Sequence, residues 1–403
     1  RLFRAKKSIS TYRPQRGPDL TASCDRSRRG TGPISSRSAT DLDAAAPPRP
    51  LCPRIDFART LEHMTTHRDT TRARTRPLAC VVVNPSKPAA TDAVRRRITT
   101  SLRNAGYVEP VWLETTPAEP GVMQARLAVA SGASLVVAAG GDGTVRAVAA
   151  GTARTGVDMA ILPLGTANLA ARNLGLPIGR LEAALEVAAH GTARPADLAW
   201  VSTEPGGASL PAPPGGWARP TLGSEHVCMV VAGIGFDAGL VASTRPELKA
   251  RIRWGAYAVA AVANLDSPHM DMVVRVRETD GGERVERLRG RTVLVANGGR
   301  LPAGITLLRE ARMDDGVLDV AVIDTVGGVA GWSSLARQVL PPFAATYSDP
   351  ARALGRVTLR RGTEAIIRLT DSAPVQVDGE LIAPTRGLRA RMDAGALLVR
   401  RPD

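Results

Sequence analysis

The stretch Leu135 to Thr144 reads LVVAAGGDGT, a short apolar run that passes directly into a glycine turn with one acid. Five consecutive apolar residues are typical of a strand buried on both faces of a parallel sheet. The residues after the turn, Val145 to Ala150, favour a helix. Glycines let a backbone approach a phosphate closely, and amide groups at a helix N-terminus attract anions. The stretch therefore predicts a phosphate-binding junction between a strand and a helix.

Asp142 lies between the glycines of this turn. A lone carboxylate would repel phosphate unless a cation lay between them, so Asp142 predicts Mg²⁺ acting with nucleotide phosphates. The alternative is a tight turn in which Asp142 only caps the helix. The turn is not a Walker A loop, because no Gly-Lys-Ser/Thr is present, and the Gly-x-Gly-x-x-Gly spacing of dinucleotide-binding folds is also missing.

The sequence on both sides repeats the order of strand, turn and helix. We predict further strands at 78–83, 111–113 and 159–163, and helices at 91–104, 121–131 and 181–190. This alternation is typical of βαβ units and a parallel sheet. A second glycine turn, Pro163 to Asn168, follows one strand, and Asn84-Pro85 follows the first. Open α/β sheets bind ligands at the carboxyl ends of their strands, so we expect the three turns to converge there.

The C-terminal half has a different pattern. A Pro- and Gly-rich loop is predicted at 204–219 and a helix at 247–264, and the other segments are short β-type runs at 227–232, 272–277, 292–296, 318–323, 357–360, 365–369 and 375–377. Frequent turn residues favour antiparallel pairing. The predicted fold class is thus α/β plus β: a parallel-sheet nucleotide-binding domain at 77–200 and a mainly antiparallel β-sandwich domain at 220–386.

The net charge of +15 is concentrated near the start of the 403-residue chain. Residues 1–76 hold 17 Arg and Lys against 7 Asp and Glu, a net charge of +10. This segment is rich in Arg, Ser, Thr and Pro and has no periodicity, so we predict a disordered basic extension. A basic arm that contacts anionic lipid or nucleic acid is the alternative. Since the remaining residues carry only +5, we expect no nucleic-acid partner.

Composition limits the class and compartment of the protein. With 44% hydrophobic and 23% charged residues, a wholly disordered or collagen-like chain is excluded. The cysteines (Cys24, Cys52, Cys80 and Cys228) form no CxxC pair, so they predict neither a zinc site nor a disulfide framework. We find no apolar run of 18 residues and no signal-peptide pattern. We therefore expect a cytoplasmic protein.

In chain order, Asn84-Pro85, Gly140 to Thr144, Pro163 to Asn168 and Val377 to Glu380 resemble the diacylglycerol kinase catalytic-domain superfamily. The chain most resembles the bacterial soluble lipid kinases of the YegS type, relatives of sphingosine kinase, from about Leu78 to the C-terminus. The Gly-Gly-Asp-Gly-Thr block is shared with NAD kinase, whereas the Pro-Leu-Gly-Thr-x-Asn turn and the late Asp-Gly-Glu are not. The resemblance also implies that the last strands return to the first domain, which would be completed by about 387–403.

The resemblance implies ATP and Mg²⁺ as cofactors, with an ATP site that would include Asn84, Pro85, Ser86, Lys87, Pro88, Thr115 (or Thr116 in another register), Gly141, Asp142, Gly143, Thr144, Val145, Arg146, Ala147 and Thr166. Two features depart from the family. The loop Ser86-Lys87-Pro88 lacks the glycine that commonly follows Asn-Pro, although Lys87 could contact phosphate. Arg146-Ala147 stands where Asn-Glu is frequent, so a family carboxylate is missing and an arginine could replace it near the nucleotide.

The resemblance implies catalytic roles for Asp142 and Glu380, with Glu380 as the general base that accepts the proton of a lipid hydroxyl. The alternative is a simple hairpin, because Asp-Gly is a strong hairpin signal. A structural Mg²⁺ loop is also implied, with the carboxylate of Asp315 and the carbonyls of Arg312 and Val317 as ligands. Its alternative is an ordinary acidic turn. Asp237 matches a family segment and would either orient the catalytic region or cap a helix.

The implied activity is transfer of the ATP γ-phosphate to a hydroxyl of diacylglycerol or a related lipid at the membrane surface. Peripheral contact with the inner face of the membrane is favoured by a basic and aromatic cluster consisting of Arg245, Lys249, Arg251, Arg253, Trp254 and Tyr257. A helix with its charges in water is the alternative. An NAD kinase-like enzyme, a catalytically silent nucleotide- or lipid-binding regulator, and a homodimer remain open.

Overall fold

The computed structural model describes residues 76–205, 212, 216–235, 268–300, 306, 308–325 and 355–403. Several sequence-based predictions concern residues outside these ranges. They are the basic extension at 1–76 (apart from Arg76), most of the loop predicted at 204–219, Asp237, and the helix at 247–264 with the basic and aromatic cluster around it.

The N-terminal part of the described chain is a parallel sheet covered by helices. Its elements are β1 (Ala79–Val83), α1 (Asp92–Asn104), β2 (Val111–Glu114), α2 (Val122–Ala130), β3 (Leu135–Gly140), α3 (Asp142–Thr152), β4 (Asp158–Pro163), α4 (Leu169–Asn173) and α5 (Leu181–His190). The strands lie in the order β2-β1-β3-β4, and all pairs are parallel. This arrangement confirms the predicted α/β fold class.

Antiparallel strands form the rest of the described chain. They are β5 (Thr192–Pro205), β6 (His226–Cys228), β7 (Val231–Gly235), β8 (Met270–Arg277), β9 (Glu283–Gly290), β10 (Thr292–Ala296), β11 (Leu318–Thr325), β12 (Gly355–Gly362), β13 (Glu364–Val377) and β14 (Glu380–Arg401). The main path of the sheet is β12-β11-β10-β7-β13-β14-β4-β3-β1-β2, with β5 and β6 attached to β14, and β8 and β9 attached to β13. The antiparallel β-sandwich class predicted for this half is confirmed.

One strand, β14, joins the two kinds of sheet. Its first half pairs with β13, and most of its length pairs with β5. Near its end, Leu398 and Val399 pair in parallel with Asp158 and Met159 of β4. The side chain of Arg400 then donates to Asp158 and to carbonyls at the end of α5. The C-terminal strand is therefore part of the parallel sheet as well as of the antiparallel one.

The hydrophobic core has three parts. One face of the parallel sheet packs on α2, α3 and α4, and the other face packs on α1 and α5. The antiparallel strands enclose a third cluster built mainly from Val, Ile and Leu. Because both faces of β1 and β3 are covered, their sequences are continuously apolar, which is the pattern that identified them.

The structure differs from the sequence-based elements at several places, and the strand β5 was among the elements that were not predicted. The run 227–232, predicted as one strand, is divided into β6 and β7, because the amides of Met229 and Val230 donate to a side chain instead of a neighbouring strand. The strand β9 was not predicted, since its charged sequence lies at an edge of the sheet and pairs only with β8. The helix predicted from Val145 begins at Asp142, so the glycine turn forms its first turn.

Replacing Leu397 with Ala tests whether the end of β14 contributes to the core of the parallel domain. Leu397 is 1% exposed, and truncation of a fully buried leucine leaves a cavity. We expect the free energy of unfolding, measured by urea denaturation, to fall by about 2–5 kcal/mol. The control is Leu359→Ala at a site that is 50% exposed, where we expect a change within about 0.5 kcal/mol. Equal effects of the two substitutions would contradict this assignment.

Candidate active site

The site lies at the point where the strand order of the parallel sheet reverses. The chain leaves β1 towards β2 on one side and leaves β3 towards β4 on the other, so the ends of β1 and β3 frame a crevice. The backbone N–H of Asn84 donates to the Ala139 carbonyl at 3.1 Å, which holds the end of β1 next to the end of β3. A cleft of about 310 Å³ opens there, lined by Asn84, Pro85, Ser86, Lys87, Thr115, Thr116, Pro117, Pro120, Gly141, Asp142, Gly143, Thr144 and Glu380.

The two glycine turns touch each other at the backbone. A Cβ atom built on Gly165 would lie only 2.7 Å from the Cα of Gly141, so a side chain at position 165 would separate the turns. Asn168 closes the second turn in a left-handed conformation (φ 48°). Its side-chain amide accepts from the Gly165 N–H and donates to the Gly165 carbonyl. The predicted convergence of the turns is therefore present in the structure.

Asp142 joins these turns through hydrogen bonds. Its Oδ1 accepts from the backbone N–H of Leu169 at 2.5 Å, and its Oδ2 accepts from the backbone N–H of Asn168 at 3.0 Å. The N-cap of α3 is Gly141, so Asp142 does not cap its own helix but satisfies the amides at the start of α4. Burial raises the pKa of Asp142, and the Leu169 amide opposes that shift.

Lys87 supplies a cation at the mouth of the cleft. A Cβ built on Gly141 would lie 3.4 Å from Lys87 Cε and 3.6 Å from its Nζ, so the ammonium group lies next to the glycine turn. The loop takes its shape from Asn84, whose Oδ1 accepts from the amide and the hydroxyl of Ser86. This side-chain turn explains how the loop folds without the glycine that commonly follows Asn-Pro in the resembled family.

Glu380 enters the same cleft from the β13–β14 hairpin. Val377 and Glu380 are paired, and Asp378 and Gly379 between them have φ angles of 47° and 83°. Two successive positive φ values are those of a type I′ turn, the usual two-residue hairpin connection. A Cβ built on Gly143 would lie 2.8 Å from Glu380 Oε1, so the carboxylate lies against the glycine turn. The hairpin alternative and the site assignment are therefore compatible.

Asp378 holds this hairpin in place. Its buried carboxylate accepts hydrogen bonds from the amides of Met229, Val230 and Val231, at 2.7, 2.9 and 3.0 Å. Burial raises the pKa of Asp378, while the charge of Arg146 and the three amides oppose the shift. No role beyond the turn was predicted for Asp378. The sequence signal that could have indicated its role was an acidic residue in a turn that follows an apolar strand.

Arg146 lies behind the cleft instead of lining it. The residue is 7% exposed, and its guanidinium pairs with Glu380 Oε2 and donates to the Val377 carbonyl at 3.0 Å. The neighbouring side chains Val145 and Ala147 are also buried, within the core on α3. These three residues were predicted as nucleotide contacts, but they do not line the cleft. Pro88 and Thr166 are exposed and do not line it either.

The remaining predicted nucleotide residues do line the cleft. Thr115 and its register alternative Thr116 are both at its wall, together with Pro117 and Pro120, which sequence reasoning missed. These four residues belong to the turn after β2, at the same edge of the sheet as the other strand ends. That position at a strand end was the signal that could have identified Pro117 and Pro120.

The predicted structural Mg²⁺ loop is held by ion pairs. Asp315 Oδ1 accepts from the Val317 amide at 3.1 Å, and its Oδ2 accepts from Arg361 at 2.7 Å. Asp314 is paired with Arg312 and Arg401. The Arg361 guanidinium thus competes with any cation for the Asp315 carboxylate. Across the described residues, no group of three or more His, Cys, Asp or Glu side chains is arranged to hold a metal ion.

His226 is a buried histidine next to the Arg146 and Glu380 pair. It is 5% exposed, and burial together with the charge of Arg146 lowers its pKa from the ordinary value of 6.5 to about 4. His226 is therefore neutral near pH 7 and adds no charge to the pair. It lies on β6, which precedes the segment that Asp378 binds.

Two family models match the chain. The diacylglycerol kinase catalytic domain matches residues 78–201, and the YegS C-terminal NAD kinase beta sandwich-like domain matches residues 228–400. In the helices of the described ranges, no segment combines the length and the apolarity needed to cross a membrane.

Similar proteins include several described as probable YegS-like lipid kinases. The chain is 30% identical to one from Chromohalobacter salexigens over 240 residues, which are 59% of this chain and 67% of that protein. It is 32% identical to one from Xanthomonas axonopodis pv. citri, over 50% of this chain and 60% of that protein. The chain thus spans about three fifths of the length of the Xanthomonas protein.

A solved structure has the same fold. The crystal structure of a diacylglycerol kinase from Bacillus anthracis str. Sterne superposes on this chain with a TM-score of 0.58 and 20% identity. The superposition covers 82% of this chain and 98% of that one.

The lowered pKa of His226 predicts a pH dependence of stability. Between pH 6.5 and about 4 the unfolded chain binds a proton at His226 that the folded protein does not, so stability falls as pH falls through this window. We expect His226 to account for about 2 kcal/mol of stability lost between pH 7 and pH 5, measured by urea unfolding at both values.

His226→Gln should remove this part of the slope, whereas His190→Gln, at an exposed site, should leave the slope unchanged. The raised pKa values of Asp142 and Asp378 make stability rise as pH falls, which opposes the effect of His226. The variant must therefore be compared with the wild type at each pH. A slope that is the same in His226→Gln and in the wild type would show that His226 protonates equally in both states.

Proposed function

The chain belongs to the YegS-like family of the diacylglycerol kinase catalytic-domain superfamily, and from this premise we propose that it is an ATP-dependent lipid kinase. It would transfer the γ-phosphate of ATP to a hydroxyl of diacylglycerol or a related lipid. One observation carries the proposal: Glu380, from the antiparallel half of the fold, lies against Gly143 of the glycine turn from the parallel half. An acid that can accept a proton is thus next to a turn that can bind phosphate.

The nucleotide end of the cleft is suited to a triphosphate. Gly141, Asp142, Gly143 and Thr144 line the cleft at the start of α3, where the amide groups of a helix attract anions, and Lys87 adds a positive charge. Phosphoryl transfer needs little covalent chemistry from the protein, so such positioning and charge stabilisation would supply most of the acceleration.

Mg²⁺ fits this cleft as a cation carried with the nucleotide. The carboxylate of Asp142 accepts hydrogen bonds from nearby backbone amides but has lone pairs left over, so Asp142 would hold the ion together with phosphate oxygens and water. When bound, Mg²⁺ would neutralise the negative charge that develops on the transferred group. The competing guanidinium of Arg361 makes the loop at 312–317 a less suitable site.

The acceptor hydroxyl would lose its proton to Glu380. A hydroxyl is a weak nucleophile, and a carboxylate within hydrogen-bond reach accepts the proton as the new bond to phosphorus forms. The side chain of Glu380 is 44% exposed, so an acceptor molecule can reach it. The proposed acceptor is a lipid at a membrane surface, with the protein bound peripherally, and the sequence cluster at 245–257 is the proposed contact.

Substitution of Glu380 by Gln tests the proposed base. The amide keeps the shape of the side chain but accepts a proton far less readily, so transfer should fall by about 10²–10⁴-fold while ATP still binds. Transfer of radiolabelled γ-phosphate into a total lipid extract, with identification of the product, measures activity, and titration calorimetry measures binding.

The matched control is Glu283→Gln, an exposed carboxylate on β9 away from the cleft, which should transfer at the wild-type rate. Equal turnover by Glu380→Gln and wild type would remove Glu380 from the mechanism. Formation of NADP from NAD and ATP, without any labelled lipid, would favour an NAD kinase-like enzyme instead. ATP binding without transfer to any acceptor would favour a nucleotide-binding regulator.

Lys87→Met tests the phosphate contact. The substitution keeps the apolar stem and removes the charge next to Gly141, so the dissociation constant of ATP should rise about tenfold, while that of adenosine should be unchanged. Arg97→Met, an exposed cation on α1 that is paired with Glu182, should alter neither constant. An unchanged affinity for ATP in Lys87→Met would contradict the assignment.

A further inference from the structure

Arg146 connects the two halves of the active site. It is located one turn into α3, directly after the glycine turn, and its guanidinium reaches the hairpin that carries Glu380. One terminal nitrogen donates to the Val377 carbonyl at 3.0 Å, and the other pairs with Glu380 Oε2. Both contacts are to the two residues that flank the type I′ turn. The arginine therefore contacts both the backbone and the acid of the hairpin.

The charges around Arg146 explain why it is retained in a buried position. Burial lowers the pKa of Arg146, but the charges of Glu380 and Asp378 raise it, and the net direction is upward. His226 is neutral because burial and Arg146 lower its pKa to about 4. The guanidinium is thus the cation that balances two carboxylates separated by one residue. Without it, the buried carboxylate of Asp378 would lose the positive charge that favours its ionised form.

The two carboxylate oxygens of Glu380 have different neighbours. The hairpin positions the backbone of Glu380, but its flexible side chain is 44% exposed and could otherwise adopt several rotamers. Arg146 occupies Oε2, and Oε1 is the oxygen that lies against Gly143. We propose that Arg146 is a positioning residue, which holds Glu380 so that Oε1 faces the phosphate-binding turn. This inference rests on the proposed function, in which Glu380 accepts the proton of the acceptor hydroxyl.

The same geometry separates this role from nucleotide binding. Arg146 was predicted as a nucleotide contact, but it is 7% exposed, and its two terminal nitrogens are engaged with the hairpin. Lys87, in contrast, lines the cleft beside Gly141. Arg146 therefore interacts with the hairpin and is not part of the wall of the cleft.

The test compares kcat and KM in Arg146→Ala, Arg146→Lys and Glu380→Gln, each measured as phosphate transfer into lipid. Loss of positioning should lower kcat of Arg146→Ala about 100-fold and leave KM for ATP within about twofold of the wild type. Arg146→Lys should recover part of kcat, since it restores a cation beside Oε2. Methylguanidine added to Arg146→Ala should also raise kcat, which a merely structural role would not predict.

A double variant shows whether Arg146 acts through Glu380. If it does, Arg146→Ala combined with Glu380→Gln should be no slower than Glu380→Gln alone. Multiplied losses in the double variant would overturn the inference, as would a raised KM for ATP with unchanged kcat, or wild-type kinetics in Arg146→Ala. If Arg146→Ala fails to fold by circular dichroism, the same comparisons are made with Arg146→Lys, where a loss of kcat that multiplies with that of Glu380→Gln would overturn the inference.

The two hypotheses fail in distinguishable ways. A wild-type chain that transfers no phosphate to lipid, or a Glu380→Gln variant that is fully active, counts against the proposed function. Loss of activity in Glu380→Gln with normal activity in Arg146→Ala counts against the role of Arg146 alone. Nucleotide affinity is measured by calorimetry for each variant. A loss of affinity in Arg146→Ala would indicate that Arg146 contacts the nucleotide and would overturn its role as a positioning residue.

Discussion

The carboxylate of Asp378 accepts hydrogen bonds from three successive backbone amides, Met229 to Val231, and the arrangement of the candidate active site depends on this interaction. It interrupts the strand between β6 and β7 and fixes the β13–β14 hairpin at that point. Because the turn is only two residues long, fixing Asp378 also fixes the backbone of Glu380. A buried carboxylate that satisfies three amides is retained despite the cost of its burial, since each amide would otherwise be unpaired.

A second buried carboxylate performs the corresponding task in the parallel half. Asp142 accepts from the amides of Asn168 and Leu169 and so holds the turn after β3 against the turn after β4. The backbone contact between Gly141 and Gly165 follows from this attachment. Each half of the fold therefore presents its part of the cleft on a turn whose acid accepts hydrogen bonds from the amides of another segment, and Arg146 links the two turns.

Much of the fold could be predicted from the sequence because its signals are local. Buried parallel strands are continuously apolar, as in Leu135 to Gly140, and glycine turns mark where they end. The edge strand β9 was missed because an exposed strand needs no apolar pattern, and its charged residues resemble those of a loop. The division between β6 and β7 was missed because it depends on Asp378, nearly 150 residues away in sequence.

The sequence by itself determined that the turns after β1, β3 and β4 converge, since strand ends and glycines are encoded within a few residues. The resemblance to a family added the Asp-Gly hairpin and the turn after β2 to that site. Only the tertiary structure decided what the charged side chains contact. Arg146 follows the glycine turn in sequence, yet helix α3 directs it towards the hairpin, more than 230 residues later, and not towards the cleft. The physical reason is that a buried charge takes the partner that compensates it best, and that partner is chosen by packing between distant segments.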